Sequence, residues 1–375
     1  MNLNYKICTR CIMDTTDSNI TFSTLGVCNH CLNYDEQKKL RVWDGTQAKI
    51  ELEKIVNKIK KTGLNNTYDC IIGVSGGVDS TYVAYVVKQL GLRPLAIHFD
   101  NNWNSELAVS NIEKTLTTLD IDLYTYVIDW PEFKDLQLSF LKASTPDGEV
   151  PSDHAINALL YKEANKRGIK YIINGMNYAS ESIAVHSWAY GHTDWKYING
   201  VQKKLGSLNL KNYPHFNFLQ LFYWTFIKKI KSVAILNFID YNKEAAMDVL
   251  QKKLNWKYYG GKHYESIYTR FYQGYILPKK FNIDKRRAHL SGLILSGQAT
   301  RDQSLIDIKT NPLDLNVEKT DKDFVMKKLN YSEVEFNTMM NAPLKTFNDY
   351  PNNHNLVMRI KNIVNLMRKN GLYSK

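Results

Sequence analysis

Cysteine is scarce in this 375-residue chain: there are five, and none follows Cys70. So few thiols at this length exclude a disulfide-stapled scaffold, and they leave everything after Cys70 without a thiol nucleophile. Proline and glycine are also sparse, 9 and 19 residues, and with 44% hydrophobic and 23% charged residues this excludes collagen-like, linker-dominated or disordered chains. No apolar run reaches the ~20 residues that a bilayer span requires. The most aromatic stretch, Tyr213 to Tyr241, is broken by Lys228, Lys229 and Lys231, and reads as core or as partner-facing surface. The first ten residues lack the basic start and apolar run of a secretory leader, so a reducing, cytoplasmic setting is expected. Acidic residues are in deficit, 37 against 49 Lys plus Arg, and the net charge of +12 favours anionic partners: nucleotides, nucleic acid or lipid head groups.

What is present begins with two CxxC knuckles, Cys8-Thr-Arg-Cys11 and Cys28-Asn-His-Cys31, joined by a polar stretch containing Gly26. Each knuckle offers two sulfurs, and the loop lets the pairs converge on one tetrahedral ion, with zinc the first choice. Four thiolates leave no open coordination position, so a structural site is expected, stapling the N-terminus or forming a docking surface. His30 is a spare ligand and more plainly a neighbour.

Beyond this module the pattern is strand, loop, helix, repeated. An amphipathic helix over Thr46 to Lys61 leads into an apolar run, Cys70 to Val74, then a Ser/Gly loop and a helix-period segment to Leu90. Further strands are expected at Leu95 to Phe99, Leu123 to Ile128 and Tyr171 to Ile173. Helices are expected over Asn104 to Leu119, Pro131 to Leu141 and Asp153 to Arg167. Short buried strands alternating with helices predict an α/β fold with a parallel sheet and ligands at the strands' carboxyl ends. Beyond about residue 200 the strand signal fades. Helix-compatible patterns at Asn242 to Leu254 and Asn353 to Met367 predict a mainly helical C-terminal domain.

The chemistry lies in Ser75-Gly76-Gly77-Val78-Asp79-Ser80, between the first strand and its helix. Two glycines let the backbone curl so that N–H groups and the helix's positive end face a phosphate, with Ser75 and Ser80 adding hydroxyls. Asp79 would repel that phosphate unless a divalent cation stood between them, so Mg²⁺ is expected there. The GK[ST] ending of a Walker loop is absent.

At these residues the sequence resembles the PP-loop ATP pyrophosphatase superfamily, whose SGGxDS loop binds the pyrophosphate end of ATP. The resemblance implies ATP cleavage to AMP and pyrophosphate, with adenylylation of a carbonyl-type oxygen that a nucleophile then displaces. It implies a nucleotide pocket that includes His98 and Asp100 at the end of the second strand and Gly175 after the fourth. Asp153 and His154 are open between a helix cap and a grip on magnesium or the acceptor. Sulfur delivery needs active-site thiols, and Cys70, inside a strand, reads as a small buried hydrophobe. Nitrogen delivery is therefore favoured. No glutaminase nucleophile is visible, so a separate glutaminase subunit is expected to supply ammonia.

A narrower resemblance is to the N-acetyl sugar amidotransferase family of lipopolysaccharide and O-antigen biosynthesis. It is carried by Cys8-Thr-Arg-Cys-Ile-Met-Asp14, Gly26-Val-Cys-Asn-His-Cys31, the PP-loop, Pro151-Ser-Asp-His-Ala155, Tyr258-Tyr-Gly-Gly-Lys-His-Tyr-Glu-Ser266 and Asp284-Lys-Arg-Arg-Ala-His-Leu-Ser291. Asn174 to Asn177 departs from the pattern, and the last 70 residues match it weakly. The resemblance implies conversion of a nucleotide-activated sugar's acetamido group to acetamidino, with a glutaminase partner and a cyclase-like channel subunit. The division expected is 1–45 for the zinc module, 46–200 for the PP-loop domain and 201–375 for a substrate or partner domain.

The tract Lys257 to His289 carries a net charge of +6, half of the total excess, among eight Tyr and Phe. Aromatic rings with arginines suit a nucleotide-sugar pocket, and Lys262, Arg270, Arg286 and Arg287 are acceptor-site candidates. Lys262 or His263 is a candidate to steady the α-phosphate. Such a tract also suits RNA, so a PP-loop tRNA-modifying enzyme is the first rival and a non-catalytic nucleotide-binding subunit of a glutaminase complex the second. The local address of the charge makes nucleic acid the less expected partner.

Overall fold

A computed structural model describes residues 5–261 and 264–359. Among these, five short strands, β1 (Cys70–Gly73), β2 (Pro94–Asp100), β3 (Asp122–Val127), β4 (Tyr171–Asn174) and β5 (Lys231–Ala234), pair in parallel in the order β3-β2-β1-β4-β5. Parallel neighbours require crossovers, and helices supply them. After α1 (Asn29–Arg41) and α2 (Gly45–Gly63), α3 (Val78–Gln89) joins β1 to β2, and α4 (Glu106–Leu119) joins β2 to β3. The β3-to-β4 crossover carries α5 (Trp130–Ala143) and α6 (Val150–Lys166). The expected α/β class is the observed one.

The strands read as continuous apolar runs because both faces of the sheet are covered. Ile71, Leu95, Ile97 and Ile172 enter one core, while Cys70, Ile72, Ala96 and Ile173 enter the other. Each fully buried isoleucine contributes roughly 2 kcal/mol. From β1 the chain moves to β2 and β3 on one side and returns to β4 and β5 on the other. The carboxyl ends of β1 and β4 therefore flank a topological switch point, where such sheets bind ligands.

The fifth strand is the element that sequence reasoning leaves out. Lys231-Ser-Val-Ala has one β-branched residue and sits half-exposed at the sheet's edge, where lysine blunts further pairing. Its register, Ile173 beside Val233, comes from β4 rather than from its own pattern. The crossover to it holds α7 (Trp195–Leu205) and α8 (Phe218–Phe222). Along Tyr213 to Tyr241, Tyr213, Phe216, Trp224 and Tyr241 are buried as core, while Leu219, Phe222, Phe226 and Ile227 are exposed.

The rest is helical: α9 (Lys243–Leu254), α10 (Ile267–Phe271), α11 (Leu277–Phe281), α12 (Arg286–Leu295), α13 (Arg301–Asp307), α14 (Leu315–Leu329) and α15 (Glu333–Asn341). Asn242 caps α9 by accepting from the Ala245 N–H, so the expected start there was its cap. A π-helical turn, Tyr272–Ile276, joins α10 to α11. Helix α6 starts at Val150, not Asp153, with Pro151 in its first turn, which removes Ser152 and Asp153 as its cap. The helix expected from Asn353 begins at His354, and its part after 359 lies outside the described residues. No described helix is long and apolar enough to cross a membrane.

Candidate active site

Ser75 to Ser80 turn from β1 into α3 at the switch point. Gly76 has φ +79°, and a Cβ there would lie 2.4 Å from the Ala108 carbonyl oxygen, so only glycine fits. The Ser75 N–H donates to Ser80 Oγ (3.3 Å), the Gly77 N–H donates to Ser75 Oγ (3.3 Å), and the two hydroxyls lie 3.1 Å apart. The loop thus closes on itself, its hydroxyls accepting from its own N–H groups, at a helix N-terminus, the kind of place where anions are received.

Residues far along the chain fix this loop, and sequence reasoning missed them. The Trp256 indole N–H donates to the Gly76 carbonyl (3.0 Å), and the Val78 N–H donates to the Tyr259 hydroxyl (3.0 Å). Asp79 accepts from the Tyr241 hydroxyl and from the Asn177 amide. Burial and the Asp79 charge push the Tyr241 phenol far up, so it stays a donor. The visible trace of these contacts was the aromatic run Trp256 to Tyr259 before Gly260.

A cavity of about 490 Å³ opens beside the loop, lined by Ser75, Ser80, His98, Asp153 and Gly175 among others. His98 is buried; its Nδ1 pairs with the Val74 carbonyl (3.0 Å) and its Nε2 with the Asn104 amide (3.2 Å). This cavity joins those five sequence candidates. Gly76, Gly77 and Asp79 sit in the loop but not in its lining.

Two sequence candidates, Asp100 from the nucleotide side and His154 from the acceptor side, are used otherwise. Asp100 accepts from the Asn102 N–H (2.9 Å), shaping the turn after β2 in which Asn102 has φ +65°, and lines neither cavity described here. His154 is fully buried, with its ring stacked 4.4 Å from Phe216 and flanked by Trp195 and Tyr213. Its Nδ1 pairs with the His192 carbonyl (2.9 Å) and its Nε2 accepts from the Phe216 N–H (3.2 Å). Burial pulls its pKa down to about 4, so it is a neutral structural residue and not a substrate ligand. Asp153, one residue earlier, faces the cavity and lies 3.2 Å from His192 Nε2.

A larger cavity of about 830 Å³ adjoins the first, lined by Tyr258, Tyr264, Arg270, Arg286, Lys285 and His289 among others. Its arginines are not bare charges. Arg270 forms a bidentate pair with buried Asp321 (2.6 and 2.7 Å), and Arg286 forks onto Asp284 (2.7 to 3.1 Å). Half-neutralised walls with the rings of Tyr258 and Tyr264 among them suit a ligand held by ring and hydroxyl contacts as much as by charge. Arg287 corrects the expectation: it lies 3.0 Å from Asp14 and donates to the Ile12 carbonyl (3.0 Å), so it serves the cysteine module. Lys262 and His263 lie outside the described residues.

That module holds the four sulfurs of Cys8, Cys11, Cys28 and Cys31, all buried and within 4.8 Å of one another. Neighbouring sulfurs are 3.6 to 3.8 Å apart, and a tetrahedral ion with Zn–S bonds of ~2.3 Å demands about 3.8 Å. The Cys28 N–H also points at Cys8 Sγ (3.2 Å), as suits a thiolate. The set therefore fits a tetrahedral metal ion. Arg301 donates to the Cys8 and Cys11 carbonyls, and Ser291 accepts from the Ile12 N–H, so α12 and α13 carry the module. Cys70 is fully buried in the core and burial pushes its thiol up, which leaves it no thiolate chemistry.

Comparison with known proteins adds one family match. Residues 265–365 match the model of the LPS biosynthesis protein WbpG-like, C-terminal domain. That segment forms part of the wall of the larger cavity, from Arg270 through Leu313. No curated protein matches the chain. Among solved structures, an NMN synthetase from Francisella tularensis aligns at 17% identity and TM-score 0.30, covering 56% of this chain and 88% of that one. An NH3-dependent NAD synthetase from Campylobacter jejuni aligns at 13% identity and TM-score 0.30, covering 80% and 98%. A predicted subunit of a tRNA methyltransferase from Methanocaldococcus jannaschii aligns at 12% and 0.29, covering 48% and 74%.

Proposed function

We propose that this chain is the synthetase subunit of an ATP-dependent N-acetyl sugar amidotransferase acting in surface-polysaccharide biosynthesis. The observation that carries the reading is the adjacency of two cavities: one at the SGGVDS loop, the other walled by the WbpG-like segment. ATP lies on Ser75 to Ser80 with its adenosine toward His98 and Gly175. A nucleotide-activated N-acetyl sugar lies in the larger cavity between Tyr258 and Tyr264, with Arg270 and Arg286 in its wall. Asp79, held beside the cavity by Tyr241 and Asn177 and outside its lining, would have to turn toward the triphosphate to hold Mg²⁺, which supplies charge neutralisation there when bound. The four cysteines would hold Zn²⁺ as a folding cross-link.

The acetamido oxygen attacks the α-phosphorus as the bond to the bridging oxygen breaks, and pyrophosphate leaves with the electron pair. Ammonia from a glutaminase partner then adds to the imidoyl carbon, AMP leaves with the C–O pair, and loss of a proton gives the amidine. Loop and walls contribute positioning and electrostatics, since no residue must form a covalent bond. The test is AMP formation from ATP and ammonium with a panel of UDP- and CMP-linked N-acetyl sugars. Sugar-dependent AMP with a product lighter by the difference between O and NH is expected; no AMP with any sugar contradicts the reading. Salt-steep tRNA binding would favour the tRNA-modifying rival.

A further inference from the structure

The two cavities touch at a small polar cluster. Lys285 and Gln273 line both of them, and Glu149, which lines the smaller, ties the pair together. Lys285 Nζ lies 2.6 Å from Glu149 Oε2, and the Gln273 amide donates to both Glu149 oxygens at 2.9 and 3.1 Å. Each of the three sits where a helix begins or widens. Glu149 precedes α6, Lys285 precedes α12, and Gln273 occupies the π-helical turn between α10 and α11. Such turns re-aim side chains and occur frequently at functional sites. Burial disfavours the Lys285 ammonium, but the charges of Glu149, Asp153 and Asp147 outweigh it and keep the group protonated. Its side chain is still 30% exposed, so it is reachable from the cavities it lines.

We infer that Lys285 is a two-position cation, resting on Glu149 while the nucleotide cleft is empty and turning to the phosphates of a bound nucleotide when it fills. This rests on the reading of the smaller cavity as the ATP site. Lysine is a compact charge on a flexible stem, and a triphosphate offers it more negative charge than one carboxylate already shared with Gln273. At the junction it faces the place where the α-phosphorus meets the acceptor oxygen. No proton moves: Lys285 donates hydrogen bonds to phosphate oxygens while the new P–O bond forms and pyrophosphate departs. Glu149 keeps Gln273 as its partner.

The test uses the full chain, calorimetric titration with Mg²⁺-ATP and with its α,β-methylene analogue, and thermal melting of every variant. Lys285→Met is expected to weaken nucleotide binding roughly tenfold, about 1.4 kcal/mol. Lys285→Arg should stay within about threefold of the unaltered protein. Glu149→Gln, by releasing Lys285, should tighten binding roughly threefold, and the double variant should show none of that gain. Unchanged affinity in Lys285→Met overturns the inference, and so does a gain that persists without Lys285, since that reports only the removal of a nearby negative charge. Should Lys285→Met fail to fold, Glu149→Gln and Lys285→Arg decide: weaker binding in Glu149→Gln overturns the inference. Unaltered protein that binds no nucleotide overturns the ATP reading as well, whereas binding without this coupling overturns the two-position cation alone.

Discussion

The loop at the smaller cavity is one short stretch, Ser75 to Ser80, whereas the larger cavity draws its walls from distant stretches around Ser180 to His192, Tyr258 to Gly274 and Asp284 to Leu313. The first takes its curl from local backbone geometry, Gly76 at positive φ and hydroxyls bonded to the loop's own N–H groups, and is braced from outside by Trp256 and Tyr259. The second holds its shape through one long-range ion pair, Arg270 with Asp321, and a short-range fork of Arg286 onto Asp284 within its rim. A contiguous loop can be read for its chemistry directly. A wall of paired charges has to be read for stability first, because the same guanidinium cannot be counted both as a strut and as a bare ligand.

The largest effect that sharpens this contrast is expected at the loop. Asp79→Ala should lower AMP formation by at least ~10³-fold, of the order lost when an electrostatic stabiliser of transferring groups is removed. Metal content of the cysteine module should stay unchanged in that variant, as measured by elemental analysis. Retained turnover would separate the loop from the reaction.

Next comes the module beneath the larger cavity. Cys11→Ser should lose the bound metal and destabilise the fold by on the order of 5 kcal/mol, because binding free energy at structural thiolate sites is folding free energy. Since Arg287, Ser291 and Arg301 tie the module to α12 and α13, ligand binding in the larger cavity should weaken more than ATP binding does. Equal loss on both sides would break the comparison.

Arg270→Ala tests whether the wall is a strut. It leaves buried Asp321 without its partner, which costs about 3 to 5 kcal/mol in denaturant unfolding. Asp321→Asn with Arg270 intact should cost less and leave nucleotide-sugar affinity nearly unchanged. A large affinity loss in Arg270→Ala at unchanged stability would return Arg270 to the role of a bare ligand.

A smaller effect belongs to pH. His154 is neutral in the fold with a pKa of about 4, below its unfolded value near 6.5, so its stabilisation is complete above that unfolded value. It declines as pH falls through the interval and is lost below about 4, a change of about 3 kcal/mol. His192, raised by Asp153 against the effect of its burial, acts in the opposite direction. The readout is therefore the difference in acid unfolding between the unaltered protein and His154→Asn, whose profile should lose this slope. The smallest effect is at Cys70→Ala, which removes one small core group, costs about 1 kcal/mol and leaves turnover intact.

The same contrast explains what could be read from the amino-acid order. The α/β alternation, the loop after β1 and the convergence of four cysteines were legible because each is a local pattern with its own spacing. β5 was not, since Lys231-Ser-Val-Ala owes its strand geometry to β4. Tyr241, Trp256 and Tyr259 were invisible as parts of the loop's support, because nothing in their neighbourhoods marks contacts spanning 162 to 181 residues. His154 and Arg287 had the residue types of ligands. Burial among aromatic rings and the carboxylate of Asp14 gave them other work.

The central claim is that the sugar's amide oxygen takes the adenylyl group. A nucleotide-linked N-acetyl sugar carrying heavy oxygen in its acetamido group, incubated with ATP and ammonium, tests it by mass spectrometry of the nucleotides. The account predicts that the heavy oxygen appears in AMP and that pyrophosphate stays unlabelled. Label in inorganic phosphate beside ADP, or label retained in the sugar while ATP is consumed, would contradict it.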